Sequence, residues 1–295
     1  MAIIKKTEEM PARPVIIVIY GSPGTGKTSL AATADIPLLI DTDRGADRAY
    51  QRVDTLVASR WEDIEAERDA LAPYRTIVVD TAKSVLDDYI AEYVCQQDYK
   101  LRKNSLKRFG AMADTFKSFV ARLRQGGADI IFVCHDRETQ EGDIIRHSPD
   151  CTGQSRDLLL RIADQVGYVT MTGGRRTITF DPTDTTVGKN VARIPATTIA
   201  DCETPAFAHA MADIITRVKA AIHDKGERQR EALAAIAEAE AMLDAATTPD
   251  EADALIERAN ALPQTVRGAF KRRMIDTLAA RGLAFDKEQG KFTEA

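Results

Sequence analysis

The stretch GSPGTGKTS, from Gly21 to Ser29, joins three glycines to a lysine and several hydroxyl residues. Glycine lets a backbone turn so close to an anion that successive N–H groups point at it. In this spacing the lysine reaches the terminal phosphates of a nucleotide, and the hydroxyl of Thr28 can join the shell of a Mg²⁺ ion. We therefore predict a site for ATP and Mg²⁺. The residues of this predicted phosphate loop are Gly21, Ser22, Pro23, Gly24, Thr25, Gly26, Lys27, Thr28 and Ser29.

Two apolar segments end in aspartates that suit the chemistry of a bound triphosphate. Asp80 closes TIVVD, where a carboxylate is expected to hold Mg²⁺ through water; the alternative is a cap for the helix that begins at Ala82. Asp41 and Asp43 follow PLLI. At the carboxyl edge of a sheet, Asp43 could polarise an attacking water while Lys27 and Mg²⁺ offset its repulsion of the triphosphate. The alternative is that both aspartates only cap or turn the strand end.

Short β-branched segments alternate with helical ones in the first half of the chain, which indicates a parallel sheet covered on both faces. The predicted strands are Val15–Tyr20, Pro37–Thr42, Thr55–Ala58, Thr76–Asp80 and Asp129–Cys134. The predicted helices are Lys27–Ala34, Arg60–Ala72, Ala82–Tyr93 and Ser105–Gln125. The last of these carries an apolar stripe of Leu106, Phe109, Ala113, Phe116, Val120 and Leu123, which we expect to be buried.

The pattern changes after Gln165. Alternating residues around Gly173 and Gly174 predict an antiparallel hairpin, and a helix follows from about Pro205 to His223. Residues 225–295 are rich in alanine and charge, and TPDE at Thr248 is a helix-capping box. We predict a core of residues 1–224 and a small C-terminal helical domain of three helices, residues 225–295.

Composition excludes some classes of protein. The chain has 295 residues, is 44% hydrophobic and carries a formal net charge of −5. Its longest apolar run is far shorter than the roughly 20 residues of a membrane span, and its first residues lack the order of a secretion signal. Four scattered cysteines fit a reduced, cytoplasmic setting. The spacing of His135, His147 and Cys151 matches no common structural zinc site.

The order of these motifs resembles the RecA-like recombinase core, an α/β P-loop NTPase fold. In that core the phosphate loop is followed by a strand ending in D-x-E or D-x-D, a short strand, and the strand of the magnesium aspartate. The chain is similar to the small phage-encoded RecA-like proteins of the Sak group, which anneal single strands. The resemblance covers about residues 13–222 and is carried by GSPGTGKTSLA, LLIDTDRG, IVVDT and CHDRE.

The resemblance implies roles for further residues. Asp43, not Asp41, takes the place of the carboxylate that activates water, although the family more often has glutamate there. His135 falls where recombinases sense the terminal phosphate; the alternative is an ordinary polar strand end. Lys189 and Arg193 fall where related ATPases reach the nucleotide of an adjacent subunit, which implies a homo-oligomeric ring or filament. The alternative for both is surface charge.

Two segments predicted as loops are candidates for contacting single-stranded DNA. Gln96–Phe109 combines cations with Tyr99 and Phe109, which suits phosphates and unstacked bases; the alternative is the solvated face of an amphipathic helix. Arg137–Arg156 follows His135 and would couple the ATP state to DNA affinity. The predicted DNA-binding residues are Lys100, Arg102, Lys103, Lys107, Arg108, Arg137 and Arg146.

The last helix carries Arg267, Lys271, Arg272 and Arg273. They predict a second DNA patch or a docking surface for the acidic tail of a single-strand-binding protein, with solvated charge as the alternative. The leading interpretation of the whole chain is an ATP-hydrolysing phage recombination protein that binds single-stranded DNA. The alternatives are a nucleotide-dependent assembly protein with weak ATPase activity and a P-loop phosphotransferase.

Overall fold

The computed structural model describes residues 4–5, 8, 11–286 and 289–294. They form two compact units, one of residues 12–222 and one of the described residues from 223 onward together with those before residue 12. The first ten residues, whose order argues against a secretion signal, lie mostly outside the described part. None of the described helices combines the length and the apolar character that a membrane span requires.

A mixed sheet of ten strands forms the centre of the first unit. The strands are β1 (Ile16–Gly21), β2 (Pro37–Asp41), β3 (Asp54–Val57), β4 (Thr76–Asp80), β5 (Asp129–Glu141), β6 (Ile144–Pro149), β7 (Gln165–Thr172), β8 (Arg175–Thr179), β9 (Lys189–Asn190) and β10 (Thr197–Ile199). Their order on the main path is β10-β8-β7-β1-β5-β4-β2-β3. From β7 to β3 every pair is parallel, whereas β8 and β10 add antiparallel strands at one edge. The predicted α/β sheet is confirmed.

Six helices belong wholly or partly to this unit. They are α1 (Lys27–Ala31), α2 (Trp61–Ala66), α3 (Ala91–Gln97), α4 (Ser105–Gln125), α5 (Gly153–Ile162) and α6 (Ala210–Ala245). Single turns of 3₁₀-helix lie at Ala46–Arg48, Arg68–Leu71, Tyr99–Lys103 and Pro205–Phe207, and a π-helix spans Ser84–Ile90. α4 has the predicted bounds, whereas the predicted helix Arg60–Ala72 breaks after Ala66.

Both faces of the central strands are buried, because neighbouring residues of a strand point to opposite faces and nearly all are apolar here. Ile16 and Val18 of β1 join the core on one face, while Ile17 and Ile19 join the core on the other. α4 packs on the first face and α6 on the second. The predicted stripe of α4 is wrong at Leu106, which is 73% exposed. The later members of the stripe, from Phe109 onward, lie in or against the core.

Strand β5 runs far beyond its predicted end at Cys134. It continues to Glu141 and pairs antiparallel with β6 through a turn at Gly142, where φ is +64°. The predicted loop Arg137–Arg156 is therefore wrong: this segment is a two-stranded arm followed by the start of α5. Most of the arm is exposed on both faces, so it lacks the apolar alternation that marks a half-buried strand.

The hairpin at Gly173 and Gly174 forms as predicted. It joins β7 to β8, and φ is +58° at Gly173 and +76° at Gly174, values that suit the two central residues of a type I′ turn. It places β8 beside β7, which in turn pairs with β1. The hairpin therefore brings β8 close to the strand that leads into the phosphate loop.

The C-terminal unit holds the end of α6, two further helices and a hairpin. The helices are α7 (Pro249–Ala261) and α8 (Gln264–Ala279), and the hairpin strands are β11 (Leu283–Asp286) and β12 (Lys291–Glu294). The capping box forms between Thr248 and Glu251. The predicted end of the helix at His223 is wrong, because α6 continues to Ala245. The hairpin adds to the three predicted helices, and Gly282 is the local signal that precedes its short strands.

Candidate functional site

The phosphate loop lies between β1 and α1. Its backbone has φ of +79° at Gly24 and +81° at Gly26, a region that side chains disfavour. A Cβ on Gly21 would lie 2.2 Å from the carbonyl oxygen of Val169, so only glycine fits there. The loop therefore has the curled backbone that directs N–H groups at an anion, at the start of a helix.

The side chain of Lys27 lies inside this loop. Its Nζ donates to the carbonyl oxygens of Gly21 at 2.8 Å and Ser22 at 2.9 Å. Lys27 is only 6% exposed, and burial lowers the pKa of its ammonium group while nearby Asp80 opposes that shift. A buried cation whose hydrogen bonds, among the described residues, go to neutral carbonyls is a favourable place for a phosphate group.

Thr28 and Asp80 meet at the end of β4. The Oγ1 of Thr28 donates to Oδ2 of Asp80 at 2.6 Å, so this carboxylate faces the phosphate loop instead of capping the helix that follows. Burial raises the pKa of Asp80. The hydrogen bond from Thr28 opposes this shift, and the negative charge of Asp43 adds to it. A hydroxyl and a poorly compensated carboxylate form an oxygen donor set that fits Mg²⁺.

The two aspartates after β2 have different surroundings. Asp41 is buried, and its carboxylate accepts hydrogen bonds from the backbone N–H groups of Asp43, Gly45 and Ala46, with N···O distances of 2.9–3.2 Å. Asp41 therefore shapes the turn. Asp43 is presented by this turn with its side chain 39% exposed, and its Oδ1 accepts from Ser84 Oγ at 3.2 Å. Asp41 is structural, and Asp43 faces solvent beside the site.

The tertiary structure brings His135 to the same place. β5 pairs with β1 so that His135 lies opposite Gly21, and its Nε2 is 3.7 Å from Oδ2 of Asp43. Its Nδ1 is buried without a hydrogen-bond partner among the described residues. Asp43, Asp80 and His135 therefore line one edge of the sheet around the phosphate loop.

Arg176 on β8 also lies against the phosphate loop, and the sequence did not indicate it. A Cβ on Gly26 would lie 3.2 Å from its Nε. Nη1 donates to Sγ of Cys202 at 3.1 Å, while the buried Nε has no partner among the described residues. In the sequence, Arg176 stands out only as part of an arginine pair after the two hairpin glycines. Nothing near that pair connects it to the phosphate loop, about 150 residues earlier.

Replacing Arg176 with alanine is expected to raise the Kd for ATP about tenfold or more, because a hydrogen bond to a charged group contributes about 1.5–3 kcal/mol. Binding of a fluorescent ATP analogue measures the change. Arg175→Ala is the matched control, since Arg175 is the exposed neighbour on the same strand. Equal affinities of the two variants would exclude Arg176 from the nucleotide site.

The two predicted trans-acting cations differ. Nζ of Lys189 donates to the carbonyl oxygens of Ala163 and, at 3.5 Å, Leu160, at the end of α5. This contact engages Lys189 within its own chain, which disfavours a role at a neighbouring nucleotide. Arg193 is exposed and has a φ of +52°. Of the pair, only Arg193 is free to reach outward from the described part of the chain.

The predicted loop Gln96–Phe109 is wrong as a loop, because it contains the end of α3, a 3₁₀ turn and the start of α4. Phe109 packs against the core and is unsuited to stacking on a base. Tyr99 is 71% exposed. Arg102 pairs with Glu92 at 2.5 Å, whereas Lys100, Lys103 and Lys107 are exposed with no ion pair among the described residues. Arg108 is half-buried beside them.

The predicted cations of the arm are both engaged. Arg137 donates to the carbonyl oxygen of Cys151 at 3.5 Å, and Arg146 pairs with Glu141 at 3.0 Å. The arm also carries Glu138 and Asp143. Its charge is therefore mixed, and the exposed lysines around Tyr99 form the more basic surface.

Comparison with known proteins yields one family. A family model described as an AAA domain matches residues 13–192, more than half of the chain. The match includes the phosphate loop, Asp43, Asp80, His135 and Arg176, and it ends just before Arg193. No curated protein in the comparison matches the chain.

Proposed function

The chain belongs to the AAA domain family of P-loop ATPases, and on that premise we propose that it binds and anneals single-stranded DNA under the control of ATP. The family supports nucleotide binding and hydrolysis in general. The action on DNA, and the kinship with phage annealing proteins, are our proposal and rest on the surface around Tyr99 and on the motifs of the sequence.

In this proposal ATP is held by the phosphate loop, with Lys27 and Arg176 at its phosphates. Thr28 and Asp80 hold Mg²⁺, which supplies charge neutralisation when bound. Asp43 accepts a hydrogen bond from the attacking water and orients it, since its carboxylate is accessible and anchored by Ser84. As water forms a bond to the terminal phosphorus and the bond from that phosphorus to ADP breaks, Arg176 and Lys27 stabilise the negative charge that develops on the phosphate oxygens.

The single observation that carries the DNA proposal is the exposed surface at Tyr99. An aromatic side chain that is 71% exposed lies within a segment whose three lysines have no described ion-pair partner. Such a surface suits a single strand, because cations contact its phosphates and an aromatic ring stacks on its bases. The acidic chain as a whole offers no general attraction for nucleic acid, so this surface would act locally.

His135 links the nucleotide site to the arm. It contacts Asp43 on one side and leads directly into the projecting part of β5 on the other. Nucleotide binding that shifts His135 would therefore move the arm, and we propose that this displacement transmits the ATP state to DNA. The proposal also includes a homo-oligomer in which Arg193 reaches the adjacent nucleotide.

The proposed docking of a single-strand-binding protein has weaker support. Arg273 pairs with Glu240 at 3.1 Å, Lys271 contacts Asn260, and Nε of Arg267 donates to the carbonyl oxygen of Leu262. Of these four cations, Arg272 alone has no hydrogen bond or ion pair among the described residues. A pull-down with the acidic tail peptide, comparing wild type with Arg272→Ala, tests the docking surface.

Annealing of complementary strands with and without ATP tests the proposed function, together with ATP turnover with and without DNA. We expect DNA to stimulate turnover and ATP to change the annealing rate. Slow turnover that DNA does not affect would support the assembly protein. Transfer of phosphate to a small acceptor would support the phosphotransferase.

The triple substitution of Lys100, Lys103 and Lys107 by alanine is expected to weaken binding to single strands of any sequence. Because each phosphate contact on a single strand releases about 0.7 counterion, the slope of log Kd against log salt should fall by about 2. Fluorescence anisotropy at several salt concentrations measures it. Arginine at the same three positions is the matched control and should preserve affinity. Unchanged binding by the alanine variant would mean that DNA binds elsewhere, and the arm would be the next surface to test.

A further inference from the structure

Three side chains at the base of the arm could share one ligand. Asp136 and Glu138 of β5 and His147 of β6 each place one donor atom within 4.8 Å of those of the other two. Glu138 and His147 are cross-strand partners, and Asp136 lies two residues before Glu138. We propose that this cluster is a binding site for a divalent transition-metal ion, separate from the magnesium site at Thr28 and Asp80.

Asp136 supplies the evidence that points to a ligand. Its side chain is only 3% exposed, and its Oδ1 has no hydrogen-bond partner among the described residues. A buried carboxylate oxygen without a partner is costly, because it has lost water and gained no donor. A cation bound at the cluster would offset the negative charge of this buried carboxylate.

Two of the three side chains are held in place before any ion binds. Nδ1 of His147 lies 2.6 Å from Oδ2 of Asp136, and the imidazole stacks on the ring of Tyr168 with centroids 5.1 Å apart. Tyr168 itself stacks on Tyr20, which immediately precedes the phosphate loop. Packed neighbours thus fix the imidazole and one carboxylate, which is the preorganisation that a metal site requires.

Glu138 is the adjustable member of the cluster. It is exposed on the arm, so its side chain is free to close on an ion held by the other two. Metal–ligand bonds of about 2.1 Å place neighbouring ligand atoms roughly 3–3.5 Å apart. An ion held by Nδ1 of His147 and Oδ2 of Asp136 would therefore widen their 2.6 Å contact slightly, while Glu138 closes from within 4.8 Å. Water can occupy the remaining coordination positions of the ion, on the side where Glu138 is exposed.

The donor set selects the class of ion. One imidazole with two carboxylates suits Mn²⁺, Zn²⁺ and similar ions, whereas Ca²⁺ and Mg²⁺ favour shells made of oxygen alone. The cluster shares only His147 with the set of His135, His147 and Cys151, whose spacing matches no common structural zinc site. An ion here would join β5 to β6 one residue beyond His135 and brace the base of the arm.

Mn²⁺ titration of the nucleotide-free full chain, followed by the electron paramagnetic resonance signal of free Mn²⁺, tests the proposal. The titration is done in an Asp80→Asn background, so that the magnesium site does not contribute. We expect one bound Mn²⁺ per chain. Glu138→Gln and His147→Asn should each weaken its binding about tenfold or more, and circular dichroism should show that both variants fold.

Asp143→Asn is the matched control, because it removes an exposed carboxylate from the tip of the same arm and should leave Mn²⁺ affinity unchanged. Absence of Mn²⁺ binding in the Asp80→Asn background would overturn the proposal. Equal affinity in folded Glu138→Gln and its parent would overturn it as well. The assay contains neither DNA nor ATP, so its outcome is independent of the proposed function.

Discussion

Lys27→Ala is expected to lose ATP binding and ATP turnover together, with the Kd for ATP rising roughly a hundredfold or more. The ammonium group is buried in the loop, and its hydrogen bonds within the described part of the chain go to the carbonyls of Gly21 and Ser22. Removal of one member of a buried charged pair costs about 2–5 kcal/mol, and the variant lacks the cation that would meet the phosphates. Isothermal titration with ATP and Mg²⁺ measures binding, and phosphate release measures turnover.

Lys117→Ala is the control for this experiment, because Lys117 is an exposed lysine of α4 whose contact with Asp114 is a long one, 3.8 Å. Thermal unfolding of both variants separates loss of binding from loss of folding. Normal ATP affinity in Lys27→Ala would show that the phosphate loop is not the nucleotide site.

Asp43→Asn is expected to leave ATP affinity intact and to lower kcat at least about tenfold, since a positioned base contributes about 10²–10⁴ to a rate. The amide has nearly the same shape and retains an oxygen for the hydrogen bond from Ser84, but it cannot carry the charge that polarises water. In the wild type, the negative charge of Asp43 adds to the rise in the pKa of Asp80. The amide of the variant removes that contribution. Single-turnover hydrolysis separates the chemical step from binding.

Asp47→Asn is the matched control, because Asp47 is an exposed aspartate in the same stretch. Asp43→Glu adds a second check: it keeps the carboxylate and should retain most of the activity. If Asp43→Asn turns over ATP at the wild-type rate, Asp43 has no part in the mechanism and His135 becomes the leading candidate for orienting the water.

Several features could be predicted because their signals are local. The phosphate loop has a fixed spacing of glycine, lysine and threonine, and continuous apolar strands between helices indicate a buried parallel sheet. The position of Asp80 and Asp43 beside the phosphate loop could be predicted because each follows an apolar strand, and parallel strands end at one edge of the sheet. The two-glycine turn at Gly173 gave the antiparallel hairpin for the same reason.

The arm and the first turn of α4 show where local signals in the sequence fail. A ribbon exposed on both faces has no apolar period, so β5 was predicted to end at Cys134. Leu106 continued the spacing of the α4 stripe, yet the core ends before it. Periodicity records which residues tend to face one side of a helix, and it does not record where the neighbouring element stops.

By itself, the sequence determined the ligand class and the sheet that holds it, because both depend on spacings of a few residues. Only the tertiary structure decided which distant side chains meet there. The contact of His135 with Asp43, the position of Arg176 over Gly26, and the cluster of Asp136, Glu138 and His147 arise from strand order and register. Strand order and register result from packing over the whole sheet, which no short stretch of sequence records.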